Sequence, residues 1–287
     1  MAQSHSPRHQ PHARFASPLR NVLDVLLVEA GCAPAGPRAP LSAVEHLRHF
    51  CQYAGLPAGR LSYLRAGRPL GPCIVLLHGT PGSSTGWTDY LLEPPAGAEL
   101  IALDRPGFGR STPSNAVTSL ALQAGAVAQL LPADGRPAIV VGHSLGAAVA
   151  TWLAAQLPGR VQGLVLLAGS LDPDLEAVHP AQHVAAWPGL GKLLPRAIRN
   201  SNAELLALKQ ELQLLAPLLQ QVRCPVAIVH GTADDLVPAE NVRYLQSRLT
   251  NARSVTTTLL DGHNHFLPWN SASAVRGALQ LTLANST

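Results

Sequence analysis

The pentapeptide Gly142-His143-Ser144-Leu145-Gly146 constrains this 287-residue chain more than any other feature. The apolar run Ala138-Ile139-Val140-Val141 precedes it, and an alanine-rich stretch of helical character follows. Strand, sharp turn and helix in that order build a nucleophile elbow. A serine hydroxyl attacks a carbonyl only when it stands clear of the sheet, and the turn that presents it forces strained backbone angles on the serine. Gly142 and Gly146 remove the side chains that would collide at such a turn.

A second apolar strand, Cys73-Ile74-Val75-Leu76-Leu77, runs straight into His78-Gly79-Thr80-Pro81-Gly82-Ser83. A carbonyl attacked by Ser144 develops negative charge on its oxygen, and two backbone N–H donors are the usual stabilisers, worth roughly 3–4 kcal/mol per donor. Thr80 and Leu145, the residue after the nucleophile, are expected to supply this oxyanion hole. A third strand, Leu100-Ile101-Ala102-Leu103, closes on Asp104-Arg105-Pro106-Gly107-Phe108-Gly109-Arg110-Ser111. Asp104 and Arg105 are expected to hold that loop by ion pairing rather than to do chemistry.

With the motifs H-G-x-P, D-x-P-G-x-G-x-S and G-H-S-x-G in this order, the chain resembles the α/β-hydrolase family from about Leu61 to its C-terminus. The resemblance implies an α/β fold with a mostly parallel central sheet flanked by helices and a helical cap inserted late in the sheet. It divides the chain into an N-terminal extension (1–60), a first part of the core (61–170), a cap (171–222) and a second part of the core (223–287). It also implies an acid and then a histidine after the serine. The family pattern G-x-x-D-x-x-x-P selects Asp234 in Gly231-Thr232-Ala233-Asp234-Asp235-Leu236-Val237-Pro238, leaving Asp235 to cap the turn or a helix near Pro238. The family histidine stands three residues after a glycine and before an aromatic residue, which His265 satisfies in Gly262-His263-Asn264-His265-Phe266. His263 is expected to be a solvated or supporting side chain.

In the chemistry this implies, His265 takes the proton of Ser144 as it attacks, Asp234 orients the imidazole, and an acyl-enzyme forms and is hydrolysed. A serine at the elbow argues against the dehalogenase and epoxide hydrolase branches, whose alkyl-enzyme ester needs a carboxylate. Carboxylic esters are the first expectation. Lactone, amide or carbon–carbon bond hydrolysis and a binding scaffold without turnover are the alternatives. The physiological substrate, acyl length, leaving group and oligomeric state lie beyond sequence reasoning.

Of all residues 47% are hydrophobic and 13% charged, which suits one domain with a large core and excludes a disordered chain. The net charge of +4 is partly a property of the first forty residues, where Arg8, Arg14, Arg20 and Arg38 lie, and nothing reads as a nucleic-acid module. No metal or organic cofactor is expected: Cys32, Cys51, Cys73 and Cys224 lack ligand spacing, and the pairs His46/His49 and His179/His183 have no accompanying carboxylate cluster. Cys73 and Cys224 read as packing residues, and Cys32 could pair with Cys51 in an exported protein. No stretch reaches the length of a membrane span.

Before Leu61, a polar start leads into Val22-Leu23-Asp24-Val25-Leu26-Leu27-Val28, read as a short helix packed on the core, and Ala43 to Tyr53 reads as an amphipathic helix. Ala30-Gly31-Cys32 resembles the end of a lipoprotein signal, but Asp24 and Glu29 interrupt the apolar run. A cytoplasmic protein is therefore expected, with export as the alternative. In the expected cap, leucines from Leu205 to Leu218 recur at helical intervals, some to roof the pocket above Ser144. So little charge in that segment points to an uncharged, apolar substrate, with Arg196 and Arg199 as the cations an acidic substrate would need.

Overall fold

A computed structural model of the protein describes residues 36–53, 59–178, 180–187, 189 and 193–286. The expected helix at Val22–Val28 and residues Cys32 and His179 lie outside them. The frame is a sheet of eight strands in the order β1-β2-β4-β3-β5-β6-β7-β8. The strands are β1 (Arg48–Gln52), β2 (Arg60–Gly67), β3 (Cys73–Leu77), β4 (Glu99–Leu103), β5 (Ala138–His143), β6 (Val161–Leu167), β7 (Val226–Gly231) and β8 (Val255–Leu260). β2 is antiparallel to both β1 and β4, and every other pair is parallel.

Every residue of β3, β4, β5 and β7 is buried, as expected of parallel strands covered on both faces. Alternate side chains serve two cores. Val75, Leu77, Val140, Leu164, Leu166 and Ile228 pack on one face, where the elbow helix (Leu145–Gln156) and the helix Leu120–Ala128 lie. Ile74, Leu76, Ile139, Val141, Val165 and Val229 pack on the other, with the C-terminal helix Ala272–Asn285. Leu145 through Ala155 are all buried, so alanines let this helix lie close to the strands on which it packs.

The N-terminal region corrects one expectation. The stretch Ala43 to Tyr53 is not a helix: a 3₁₀ segment, Leu41–Leu47, ends at Arg48, and β1 follows. The cause is the open edge of β2, which pairs with β1 from Arg48↔Leu64 to Gln52↔Arg60. Ladder hydrogen bonds to that edge outweigh a weak helical spacing. His46 and His49 thereby lose their helical relation, and His49 stacks on Tyr63 instead.

Between β6 and β7 the chain leaves the sheet and forms the helices Pro180–Ala185 and Arg196–Leu215 and the 3₁₀ segment Ala216–Gln221. One stripe of the long helix, Asn200, Glu204, Leu208, Leu212 and Leu215, is buried at near-fourfold spacing. Among the described residues no helix is long and apolar enough to cross a membrane.

Candidate active site

The sheet order places β3 between β4 and β5, so the connections leaving β3 and β5 run in opposite directions. Such a switch point opens a crevice at the carboxyl ends of the strands. The loop after β3 and the elbow after β5 meet there.

Ser144 occupies the elbow with φ 54° and ψ −126°, a conformation that strains a side-chain-bearing residue. Its neighbours show why glycines flank it. A Cβ on Gly142 would sit 2.5 Å from Ala147 Cα, and one on Gly146 would sit 2.6 Å from the His78 carbonyl oxygen. The strain is held by hydrogen bonds from Ser144 N to Leu167 O (2.9 Å) and from Ala147 N to Ser144 O (2.9 Å).

Beside it, His265 Nδ1 donates to Asp234 Oδ2 at 2.8 Å. That bond puts the proton on Nδ1 and leaves Nε2 of the neutral ring with a lone pair. The other carboxylate oxygen of Asp234 accepts from Leu236 N (2.9 Å) and Val237 N (2.8 Å). The turn capping expected of Asp235 thus falls to Asp234, and Asp235 is exposed. Burial by itself would raise the Asp234 carboxyl, but its attraction to a protonated His265 and the hydrogen bonds from His230, His265 and Val237 outweigh it. They hold the group well below the usual carboxylate range.

Sequence reasoning missed two histidines that support this pair. His230 Nε2 donates to Val237 O at 3.0 Å and lies 3.4 Å from Asp234 Oδ2. His143 Nε2 donates to the His265 carbonyl at 3.0 Å, and the two rings lie 4.8 Å apart. Burial, then the neighbouring His265, pushes His143 down to about 3, so it stays neutral. His263 turns elsewhere, with Nδ1 2.5 Å from Ser271 Oγ.

Ser144, His265, Thr80 and Leu145 all line one cavity of about 470 Å³. Leu145 is the first residue of the elbow helix, so its N–H has no acceptor within the helix. Leu205 and Leu208 of the long helix line the cavity from above, with Trp87, Phe266 and Trp269 among its apolar walls. Two charged side chains also line the cavity, Glu176 and Arg196, the latter one of the two cations named for an acidic substrate. Glu176 accepts a hydrogen bond from Ser170, and burial pushes its carboxyl up. Arg196 donates to the Gly109 carbonyl. Glu176 was not singled out in the sequence, because its place on the wall depends on how the segment after β6 folds back.

The loop after β4 holds structure, as expected. Asp104 pairs with Arg48 at 3.1 Å and accepts from Ser84 N (2.7 Å), and Arg105 is completely buried against Glu204 at 2.7 Å.

Comparison with known proteins follows the same outline. The profile of the alpha/beta hydrolase fold matches residues 72–192. A pimeloyl-[acyl-carrier protein] methyl ester esterase of Aromatoleum aromaticum is 31% identical over 226 residues, covering 63% of this chain and 87% of that protein. A dihydrolipoyllysine-residue acetyltransferase component of the acetoin cleaving system of Cupriavidus necator is 39% identical over 118 residues, 40% of this chain and only 31% of that protein. Among solved structures, a 2-hydroxy-6-oxo-6-phenylhexa-2,4-dienoate hydrolase of Rhodococcus superposes with a TM-score of 0.66 at 20% identity, covering 83% of this chain and 99% of that one. A thermophilic esterase of Thermogutta terrifontis does so at 0.65 and 19% identity, covering 83% and 98%. Fold, motif order and relatives agree, and the chain belongs to the α/β-hydrolase family.

Proposed function

We propose that the protein is a serine hydrolase that cleaves carboxylic esters of small to medium, largely apolar substrates through an acyl-enzyme. Ser144 is the nucleophile, His265 the general base and Asp234 the orienting acid. The N–H groups of Thr80 and Leu145 receive the oxyanion, and the segment 171–222 caps the pocket. The observation that carries this reading is the His265–Asp234 hydrogen bond of 2.8 Å beside a cavity that His265 shares with the strained Ser144.

The proposed steps are those of a serine, histidine and aspartate acting in sequence. The lone pair on His265 Nε2 accepts the Ser144 proton as Oγ adds to the ester carbonyl, and the imidazolium is stabilised by the Asp234 carboxylate. The leaving alcohol takes that proton. Water, deprotonated by the same histidine, then adds to the acyl carbonyl and frees Ser144. The esterase relatives support an ester as the substrate. A second reading, hydrolysis of a substrate that carries a carboxylate, draws support from Arg196 on the cavity wall.

Hydrolysis of a p-nitrophenyl ester series, from acetyl to long acyl chains, tests this with the wild type and with Ser144→Ala, His265→Ala and His263→Ala. Turnover lost with the first two variants and kept in His263→Ala is the expected result. No turnover on any ester by the wild type, with Ser144 still labelled by a fluorophosphonate, would rule out the ester reading.

A further inference from the structure

Arg105 and Glu204 form an ion pair that is 0% and 1% exposed, joining the loop after β4 to the long helix above the cavity. Each N–H of the guanidinium has a partner. Nη1 donates to Glu204 Oε1 (2.7 Å) and Gln123 Oε1 (2.5 Å), and Nη2 to Glu204 Oε2 (3.1 Å) and Gly79 O (2.8 Å). Nε donates to His78 O (3.0 Å). Gln123 closes the cluster by donating to Glu204 Oε1 at 2.6 Å. A buried pair of this kind is weak as a source of stability, because desolvation consumes most of its attraction.

What the cluster grips is more telling. The two carbonyls held by Arg105, those of His78 and Gly79, immediately precede Thr80. The Gly79 carbonyl has a second donor, His78 Nδ1 at 2.7 Å, because His78 Nε2 accepts the Arg105 backbone N–H at 3.0 Å. Burial and the Arg105 charge keep that imidazole neutral, as this arrangement requires. The Gly79–Thr80 peptide is trans, so its C=O and N–H point in opposite directions. With the carbonyl fixed on Arg105 and His78, the Thr80 N–H must point away from them, and Thr80 lines the cavity.

We infer that Arg105 and Glu204 are positioning residues for the reaction: the Glu204 carboxylate on the long helix holds the Arg105 fork, and the fork holds the Gly79–Thr80 peptide in the orientation that turns its N–H toward the oxyanion. Seating of the long helix and readiness of the oxyanion hole are thereby one event. This rests on the serine hydrolase reading above, with Thr80 as an oxyanion donor.

Two variants separate positioning from scaffolding. Glu204→Gln keeps the shape but leaves the Arg105 charge unpaired, which by itself endangers folding. The double variant Arg105→Met/Glu204→Leu removes both charges together and takes the Arg105 donors from the His78 and Gly79 carbonyls, leaving His78 Nδ1 alone on the latter. Wild-type turnover of p-nitrophenyl butyrate reports on the ester reading. The ratio of variant to wild-type kcat, and of their rates of Ser144 phosphonylation by a fluorophosphonate, reports on the inference even where no ester is turned over. In the double variant, with cooperative melting retained, kcat and the phosphonylation rate should each fall about ten- to a hundredfold while KM stays within about twofold. Rates within about twofold of wild type, or a rise in KM alone, would overturn the inference and leave the pair as an anchor of the long helix. So would loss of folding in both variants. Wild type that neither hydrolyses the ester nor reacts with the phosphonate would remove the ester reading and the inference together.

Discussion

Asp234 carries two tasks on its two oxygens, and that division makes its amide variant informative. Oδ1 holds the Leu236 and Val237 amides while Oδ2 faces His265 Nδ1. In Asp234→Asn the side-chain carbonyl keeps the turn and the NH₂ group faces the imidazole, which then turns its lone pair to Nδ1 and carries its proton on Nε2. On the proposed mechanism, that tautomer cannot accept the Ser144 proton. A fall in kcat of about 10⁴-fold with little change in melting temperature is expected, and steady-state kinetics beside a thermal melt would measure both. Gly146 offers the opposite case, structure without chemistry. A Cβ there would meet the His78 and Leu77 carbonyl oxygens at 2.6 and 2.8 Å. Gly146→Ala should cost about 1–3 kcal/mol by overpacking, read as a lower denaturation midpoint. The serine between its glycines leaves a local mark, a strand, a sharp turn and a helix, whereas Asp234 and His265 were singled out from Asp235 and His263 only by the family pattern. Glu204 left no mark, since its partner Arg105 stands 99 positions away in the chain.

At the scale of elements, legibility followed burial. β3, β5 and β7 stand where uninterrupted apolar runs placed them, because a strand covered on both faces has little choice of composition. β8, half-buried or exposed along its length, was legible instead by its β-branched run Val255–Thr258. β1 escaped notice for the converse reason. Its five residues, Arg48 to Gln52, are half-buried or exposed, and the edge of β2 rather than their own pattern makes them a strand. The long helix Arg196–Leu215 was legible as a leucine repeat but not as a polar clamp, and both properties act in its seating. Leu212 is fully buried on its inner stripe, while Asn200 Nδ2 donates to Gly107 O (2.7 Å) and Ser114 O (2.9 Å). Leu212→Ala should destabilise by about 2–5 kcal/mol, and Asn200→Ala by about 1–3 kcal/mol through unpaired carbonyls. Chemical denaturation would rank the two. Equal, negligible losses would mean that the helix is held from its ends alone.

For the whole molecule, two of the buried histidines, His78 and His143, set a pH limit on folding. Burial, and then the charge on a neighbouring side chain, lowers both His78 and His143, the latter to about 3. Above the ordinary histidine value of about 6.5 both rings are neutral whether the chain is folded or not, and stability does not depend on them. As pH falls below that value the unfolded chain binds two protons that the folded interior refuses, so stability declines toward a slope of about 2.7 kcal/mol per pH unit. The decline from His143 ends only as its folded value of about 3 is reached. Neither ring can escape by turning to solvent, because His78 bridges Arg105 N and Gly79 O, and His143 donates to the His265 carbonyl. Urea midpoints measured from pH 7 to pH 4 should therefore fall steeply in the wild type. In His143→Gln, which keeps a donor near the His265 carbonyl without a titrating ring, the slope should drop by about half. A slope unchanged by that substitution would mean that His143 takes up its proton in the folded state.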